Sequence, residues 1–299
     1  MPEDARPILN AVADQLQAAG LDNCRSDARL LLGLACGRTD PILPHEDLPR
    51  WTQEEQRTLD ALVARRLTGE PISRMRGWRE FWSLRFALSP ATLDPRPDSE
   101  ILVEHAVAFG RSLAPSVPAP LILDMGTGSG CLLLASLSEL PTARGVGIDL
   151  NPNAVTTAQD NAVTLGLEDR VTFRQRSFTA PADTDWPAGE NQPAFDIILC
   201  NPPYIPSGDI STLAPDVAQF DPILALDGGA DGLDCWRALL PPLAALLAPH
   251  GRAFVEIGEG QRPAVTAVAV ALGLKEITYH RDLAGIIRVL VFGRSESAA

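Results

Sequence analysis

Residues 121–130 have the sequence Leu-Ile-Leu-Asp-Met-Gly-Thr-Gly-Ser-Gly, a short apolar run that leads into a glycine-rich turn. The apolar run predicts a buried strand, and the residues after the turn predict a helix. Glycines at such a turn let the backbone come close to a ligand. The sequence therefore predicts a ligand loop made of Gly126, Thr127, Gly128, Ser129 and Gly130.

Two acidic residues indicate what this loop would bind. Asp124 precedes the turn, and Asp149 ends the next predicted strand, about 20 residues further along. A negative charge before the turn suits a ligand with a cationic part better than a pyrophosphate, and Asp149 can accept both hydroxyls of a ribose. The combination favours S-adenosylmethionine, which has sulfonium and ammonium charges, one ribose and no phosphate. NAD is the alternative, although no group of residues suited to hydride transfer stands out elsewhere in the sequence.

From residue 121 onward, predicted strands alternate with predicted helices. The strands are expected at 121–125, 144–149, 170–175, 195–200, 252–257, 275–280 and 286–292, and the helices at about 130–140, 152–165, 232–248 and 262–272. Such alternation predicts an α/β fold with a mostly parallel sheet that is covered on both faces. Because a short link joins the last two strands, we expect them to be antiparallel neighbours. Pro241 and Pro242 should break or kink the third helix.

The residues before this region predict short helices that carry no obvious chemical group. Ser26 is a candidate cap for the second helix, and Thr52 with Glu55 has the pattern of a capping box at the start of the third. The spacing of apolar residues then changes from a helical repeat to a repeat of two. Apolar and polar residues alternate over 82–88, which predicts a strand.

The sequence Asn-Pro-Pro-Tyr at residues 201–204 directly follows the fourth strand of the alternating series. Ligands of open parallel sheets lie beyond the carboxyl ends of the strands, so we expect this segment and the glycine turn to line one crevice. The side-chain oxygen of Asn201 and the carbonyl of Pro202 can accept the two N–H groups of a planar nitrogen. Pro203 helps to keep the backbone rigid, and Tyr204 offers a flat surface. These residues are suited to methyl transfer onto an amide or aromatic amine, with catalysis mainly by positioning.

Four parts of the chain, spread over roughly its whole length, together resemble the HemK/PrmC family of protein-(glutamine-N(5)) methyltransferases, which modify peptide chain release factors. They lie at residues 77–84 (Gly-Trp-Arg-Glu-Phe-Trp-Ser-Leu), 94–100 (Asp-Pro-Arg-Pro-Asp-Ser-Glu), 124–130 with 201–204, and 256–258 with 282–285 and Arg288. Asn-Pro-Pro-Tyr alone is shared with other amino-methylating enzymes, and the first two parts make the match specific. The resemblance implies a seven-stranded Rossmann-like methyltransferase domain at 98–299, preceded by a helical substrate-docking domain at 1–75 and a β-hairpin linker at 76–97.

The resemblance also implies the reaction. S-adenosylmethionine would donate a methyl group to the glutamine of a Gly-Gly-Gln loop in a release factor, with S-adenosylhomocysteine as the product. The catalytic residues would be Asn201, Pro202 and Tyr204, and these three with Pro203 would hold the glutamine. The cofactor would be bound by Asp124, Gly126, Thr127, Gly128, Ser129, Gly130, Asp149, Phe178 and Asn201.

Two positions depart from the pattern of that family. Ser177 stands where an acidic residue commonly precedes the aromatic residue beside the adenine, which leaves the packing of Phe178 but not a charged contact. Asp94 replaces an apolar residue, and nothing in the sequence explains the change.

The 299 residues include 25 Lys and Arg and 38 Asp and Glu, which gives a formal net charge of −13. This charge disfavours nucleic-acid binding, and with it the main alternative function, an N(6)-adenine DNA or RNA methyltransferase that also uses Asn-Pro-Pro-Tyr. Five dispersed cysteines and four isolated histidines favour neither disulfides nor a metal site. The sequence shows no signal-peptide pattern and no apolar run of membrane-spanning length, so we expect a cytoplasmic enzyme without a membrane partner.

Residues 65–96 are locally basic, with seven arginines and three acidic residues. The arginines form either an ordinary solvated surface with structural ion pairs or a docking face for the release factor. A protein that only binds the cofactor is a third alternative, which the combination of Asn201 with the glycine turn disfavours.

Overall fold

The computed structural model describes residues 3–43, 45–48, 51–113, 116–177 and 194–295. By their internal contacts the residues form two compact units. The first comprises residues 1–78 and 213–220, and the second comprises residues 79–212 and 221–299. The three-part division at residues 75 and 97 that the sequence suggests stays a prediction.

The first unit is helical and has one pair of two-residue strands. Its elements before residue 78 are β1 (Glu3–Asp4), α1 (Arg6–Ala18), α2 (Cys24–Ala35), β2 (Asp47–Leu48), α3 (Gln53–Leu67) and α4 (Ile72–Arg76). The apolar sides of α1, α2 and α3 pack together around Leu16, Leu31 and Leu59, which are almost fully buried. The predicted capping box is confirmed, because Thr52 and Glu55 each accept a hydrogen bond from the backbone N–H of the other.

The start of α2 differs from the prediction. The helix begins at Cys24, two residues before the predicted cap Ser26, and Asn23 precedes it with a φ of 57°. Asn adopts this left-handed conformation more readily than most residues. The chain therefore enters the helix through the backbone of Asn23 and needs no side-chain cap at Ser26.

A two-stranded sheet, β3 (Trp78–Phe81) with β4 (Leu84–Ala87), confirms the β-hairpin that the family resemblance implies. The alternation of residues predicts one strand over 82–88 here. Trp82 and Ser83 form the turn instead, with φ values of 54° and 58°. Positive φ at both central residues is the geometry that matches the twist of two paired strands. Two carboxylates hold Trp82 in this turn, because its N–H donates to Glu100 at 2.8 Å and its indole N–H donates to Glu139 at 3.0 Å.

The second unit is built around a seven-stranded sheet in the order β10-β11-β9-β8-β5-β6-β7. The strands are β5 (Leu121–Met125), β6 (Arg144–Asp149), β7 (Val171–Gln175), β8 (Phe195–Cys200), β9 (Leu247–Glu256), β10 (Leu274–Arg281) and β11 (Ile287–Arg294). β5 is parallel to both β6 and β8. β10 and β11 are antiparallel neighbours, as predicted, and β11 is also antiparallel to β9. The strand order reverses between β5 and β8, so ligands are expected beyond the carboxyl ends of these two strands.

Helices cover both faces of this sheet and confirm the predicted fold class. They are α5 (Glu100–Leu113), α6 (Cys131–Glu139), α7 (Pro152–Thr164), α9 (Asp234–Leu246) and α10 (Arg262–Ala271), while the short α8 (Pro215–Ala218) belongs to the first unit. All residues of β8 are buried. Two adjacent residues of this strand, Ile197 and Ile198, pack in different hydrophobic cores of the unit, one on each side of the sheet. Pro241 and Pro242 lie inside α9, which continues past them to Leu246, so they do not end the helix.

Within the described ranges, no helix is long and apolar enough to cross a membrane. The same residues contain no group of three or more His, Cys, Asp or Glu side chains that could hold a metal ion.

Candidate active site

The glycine turn leaves the carboxyl end of β5 and is fastened to β6. The N–H groups of Gly126 and Thr127 both donate to the carbonyl of Ile148 at 2.9 Å. Gly126 and Gly130 each have a φ of 82°, a conformation that favours glycine. A Cβ atom on Gly130 would also lie only 3.1–3.2 Å from the side chains of Leu134, Ala158 and Phe173. Gly130 therefore serves the close packing of α6, whereas the turn before it presents backbone to the cavity described below.

Asp149 at the end of β6 is bonded to backbone on both of its oxygens. Oδ2 accepts from the N–H of Gly128 and Oδ1 accepts from the N–H of Asn151, both at 2.9 Å. Burial raises the pKa of this carboxyl, and the backbone N–H groups oppose that rise. Each carboxylate oxygen has a second lone pair, so Asp149 can still accept hydroxyl donors from a ligand.

Asp124 lies in β5 beneath the turn and is completely buried. Thr127 Oγ1 donates to its Oδ2 at 2.7 Å, while Oδ1 has no hydrogen-bond partner among the described residues. Burial raises the pKa of Asp124 to about 7. A buried carboxylate oxygen without a partner is costly, and a cation at the turn would offset that cost. The site thus fits a ligand with a cationic part.

A cavity of about 480 Å³ opens at the carboxyl ends of β5, β6 and β8. This volume lies within the range of small-molecule sites, roughly 300–1,000 Å³. Seven predicted site residues line it, namely Gly126, Thr127, Gly128, Ser129, Asp149, Asn201 and Pro203. Asp124, Gly130, Pro202 and Tyr204 are not among the lining residues, and Phe178 lies outside the described residues. The structure thus brings the glycine turn, Asp149 and Asn201 to one cavity.

The segment 201–204 begins directly after β8. Asn201 Nδ2 donates to Ser99 Oγ at 3.2 Å, and no described residue donates to Asn201 Oδ1 or to the carbonyl of Pro202. Gln261 Nε2 donates to the carbonyl of Tyr204 at 2.9 Å. A Cβ atom on Gly232 would overlap that same carbonyl oxygen, so only glycine permits this approach of the two backbones. The backbone at Tyr204 is therefore fixed from two sides.

Tyr204 points its hydroxyl toward a second buried carboxyl. Its Oη lies 3.4 Å from Glu256 Oε1, and Glu256 is 3% exposed. Burial raises the pKa of Tyr204 above its usual value, and the charge of Glu256 adds to the rise. Tyr204 is thus a neutral phenol that can donate a hydrogen bond.

The sequence-based prediction missed two segments that line the cavity. One contains Pro95, Arg96 and Ser99, and the other is the 3-10 turn Ile223–Ala225 with Pro222 before it. Arg96 Nη2 lies 2.5 Å from Asp221 Oδ2 and so joins the two segments. The sequence gives a signal for the first segment only, the stiff turn of prolines around Arg96. The sequence around the second segment contains no pattern that predicts its position beside the cavity.

The basic stretch at 65–96 contains several ion pairs. Arg65 pairs with Glu70, Arg66 with Asp27, Arg79 with Asp94 and Arg96 with Asp221. The unusual Asp94 is 1% exposed, and its carboxylate lies 3.7 Å from the guanidinium of Arg79. An ion pair with Arg79 therefore gives Asp94 a structural role that the sequence did not reveal.

Comparison with known proteins gives matches over most of the chain. Two family models match, the PrmC N-terminal domain at residues 8–77 and a methyltransferase domain at residues 119–227. A release factor glutamine methyltransferase of Rhodospirillum rubrum is 46% identical over 96% of this chain and 84% of its own length. One of Bradyrhizobium diazoefficiens is 44% identical over 96% of this chain and 93% of its own length.

Among solved structures, the hMettl16 catalytic domain in complex with MAT2A 3'UTR hairpin 6 has a TM-score of 0.55 at 14% identity. The match covers 82% of this chain and 83% of that chain. At this level of identity it shows a likeness of fold alone.

Proposed function

Because the chain belongs to the family of release factor glutamine methyltransferases, we propose that its substrate is the glutamine of the Gly-Gly-Gln motif in peptide chain release factors. The enzyme transfers a methyl group from S-adenosylmethionine to the side-chain amide nitrogen of a release factor glutamine, and the second product is S-adenosylhomocysteine. The observation that supports the proposed site is the meeting of the glycine turn, Asp149 and Asn201 at one cavity.

We assign the cofactor to the part of the cavity formed by the glycine turn and Asp149. S-adenosylmethionine, when bound, supplies an electrophilic methyl group on a positively charged sulfur. The backbone of Gly126 to Ser129 would lie against it, and Asp149 would accept from the ribose hydroxyls. Asp124 would contribute its negative charge from beneath the turn, where one of its oxygens has no partner in the described chain. A contribution of Phe178 to adenine packing stays a prediction.

The glutamine amide is a poor nucleophile, because its nitrogen lone pair is delocalised into the carbonyl. Asn201 Oδ1 and the carbonyl of Pro202 would accept its two N–H groups and so fix the plane of the nitrogen. One face of that nitrogen then points at the methyl donor. The residues act mainly by orientation, an effect that reaches about 7–11 kcal/mol in well-aligned model reactions.

Tyr204 and Pro203 complete this substrate site in the proposal. The ring of Tyr204 would lie against the flat carboxamide, and the two prolines limit the motion of the backbone that carries the acceptors. A general base is not needed before attack, because a methylated amide nitrogen loses its proton readily.

The first unit is proposed to bind the body of the release factor. The match of residues 8–77 to the PrmC N-terminal domain supports this assignment. We further propose that the enzyme acts in the cytoplasm, where peptide chains are released.

The proposal is tested by incubating the enzyme with methyl-labelled S-adenosylmethionine and, in separate reactions, a release factor or duplex DNA. We expect label in the release factor, and peptide mass mapping should place a single methyl group on the glutamine of Gly-Gly-Gln. A matched release factor with Glu at that position should take up none. Label on another glutamine would contradict the proposed motif, and label in DNA would favour the alternative function.

A further inference from the structure

A chain of polar side chains lies behind the segment 201–204. Glu256, the last residue of β9, lies at its centre and is almost fully buried. Ser99 Oγ lies 2.5 Å from Glu256 Oε2, and Tyr204 Oη lies 3.4 Å from Glu256 Oε1. Asn201 Nδ2 lies 3.2 Å from the same Ser99 Oγ. One carboxylate therefore reaches both ends of the tetrapeptide, through Ser99 at Asn201 and directly at Tyr204.

The chemistry of these groups fixes the direction of each hydrogen bond. An ionised carboxylate only accepts, so Ser99 and Tyr204 both donate their hydroxyl protons to Glu256. Ser99 then has no proton left and can only accept from Asn201. The group that Asn201 turns toward Ser99 must therefore be its NH₂, and its oxygen Oδ1 must face the other way.

The orientation matters because the two ends of a carboxamide have nearly the same shape. Packing distinguishes them poorly, and hydrogen bonds decide which end faces which partner. A flipped Asn201 would present an N–H donor to the substrate amide, whose own nitrogen also carries N–H donors. The acceptor needed for the substrate would then be missing.

We propose that Glu256 is a positioning residue of the methyl transfer: acting through Ser99, it keeps Asn201 Oδ1 toward the cavity, and through Tyr204 it holds the other end of the segment 201–204. This inference rests on the proposed function, which gives Asn201 the role of acceptor.

The groups around Glu256 determine when it is ionised. Burial raises the pKa of Glu256 and Asp98 adds to the rise, whereas Ser99, Tyr204 and the guanidinium of Arg288 lower it. Arg288 is itself held by Asp282 at 2.9 Å. The thiols of Cys131 and Cys200 also face Glu256, and burial raises their pKa values, so they stay neutral.

Protonation of Glu256 would remove the hydrogen-bond pattern that fixes the orientation of the Asn201 carboxamide. A carboxylic acid can donate to Ser99, whose own proton is then free to turn toward Asn201 and bond to Oδ1. Acid should therefore lower the rate of the bound complex in the wild type, with Glu256 as the group that titrates.

The first test is Glu256→Gln, which keeps the shape of the side chain but has only one acceptor oxygen for two hydroxyl donors. We expect kcat to fall about 10- to 100-fold, as misplacement of a reacting group does, with little change in the Kd for S-adenosylmethionine or the KM for release factor. The acid limb of the kcat profile should also disappear. The control is Glu276→Gln, since Glu276 likewise accepts from a hydroxyl, Thr266 Oγ1 at 2.5 Å, but lies in β10 and does not line the cavity. Its kcat should equal that of the wild type.

A second pair of variants, both at Ser99, tests the same role even if Glu256→Gln does not fold. Ser99→Ala removes the relay and should lower kcat to a similar extent, while Ser99→Thr restores a hydroxyl and should recover most of it. The double variant Ser99→Ala with Glu256→Gln should be no slower than the slower single variant, because both changes break one path.

The results separate two failures. If the wild type methylates release factor but Glu256→Gln keeps its kcat, or if Ser99→Thr is as slow as Ser99→Ala, the positioning role is wrong and the proposed function stands. A loss confined to cofactor binding or to thermal stability would also overturn it. If the wild type does not methylate release factor at all, the proposed function itself fails.

Discussion

The backbone N–H of Gly128 donates a hydrogen bond of 2.9 Å to Oδ2 of Asp149. This bond joins the middle of the glycine turn to the end of the neighbouring strand. Asp149 thereby holds the turn in shape before any ligand arrives, and its remaining lone pairs are available to the ribose hydroxyls of the proposed cofactor. The acidic residue and the glycines form one preorganised unit.

Removal of that carboxylate should weaken cofactor binding. In Asp149→Ala we expect the Kd for S-adenosylmethionine to rise by about 10- to 100-fold, because hydrogen bonds to a charged acceptor contribute about 1.5–3 kcal/mol. Isothermal titration calorimetry measures this directly. Asp160→Asn, an exposed residue of α7, should bind like the wild type. An unchanged Kd in Asp149→Ala would remove Asp149 from the cofactor site.

Removal of the charge of Asp124 should raise the thermal stability of the cofactor-free protein and lower its affinity for the cofactor. Burial raises the pKa of Asp124 in the folded protein to about 7, from 3.8. A raised pKa means that the folded state holds the proton more tightly, so this contribution to stability is complete below about pH 4 and is lost as pH rises through about 7. Asp124→Asn carries no such charge and still offers an oxygen to Thr127.

We therefore expect Asp124→Asn, without cofactor, to melt at a higher temperature than the wild type at about pH 8, with the difference shrinking toward about pH 5. Its affinity for S-adenosylmethionine should nevertheless be lower, because the negative charge is gone. Differential scanning calorimetry and titration calorimetry supply the two measurements, with the exposed Asp169→Asn as control. A variant that is less stable at the higher pH would contradict the assigned cost of the buried charge.

Asn201 should affect turnover far more than cofactor affinity. Its Oδ1 accepts no hydrogen bond from any described residue, so its role in the proposal is reserved for the substrate amide. In Asn201→Ala we expect kcat to fall roughly 100-fold or more, as on removal of a preorganised catalytic hydrogen-bonding group, with a Kd for S-adenosylmethionine within a few-fold. The exposed Asn153→Ala is the matched control. A loss wholly in cofactor binding would assign Asn201 to the cofactor instead.

The middle of the central sheet could be predicted closely because β5, β6 and β8 are buried on both faces. β5, β6 and β8 have the predicted bounds, since such strands are short apolar runs with glycine or polar residues at their ends. The hairpin could not be predicted in this way, because the alternation continues through the turn at Trp82 and Ser83. Contacts of Trp82 with Glu100 and Glu139, far along the chain, hold that turn.

The same distinction applies to the site. The glycine turn, Asp149 and Asn201 each follow a strand, and parallel strands bring their carboxyl ends together. Ser99 and Glu256 are separated by 157 residues, and no periodicity indicates that they touch. The side chains that contact Asn201 and Tyr204 from behind come together through such long-range contacts, which only the folded chain shows.

Glycine at Ser83 in the hairpin turn should make the protein more stable. Ser83 is exposed and has a φ of 58°, a region in which a side chain is disfavoured and glycine is preferred for this kind of turn. We expect Ser83→Gly to raise the free energy of unfolding by about 0.5–1 kcal/mol, measured by urea denaturation. Glycine at the exposed Thr156 within α7 should do the opposite, since it weakens a helix. A loss of stability in Ser83→Gly would mean that the serine side chain stabilises the turn.

The basic stretch can be tested as a docking face at an arginine whose side chain is exposed to solvent. Arg66, Arg79 and Arg96 pair with buried carboxylates, so reversal of their charge would destabilise the region rather than report on docking. Arg85 in β4 is exposed. If complementary charge steers the release factor, Arg85→Glu should raise KM about 3- to 10-fold at low salt, and the effect should shrink at 0.15 M, where charges are screened beyond about 8 Å. Arg144 is the first residue of β6, so it lies at the end of the strand opposite to the cavity. Arg144→Glu should therefore leave KM unchanged. Equal KM values for Arg85→Glu and the wild type at low salt would leave the arginines of this stretch with structural roles only.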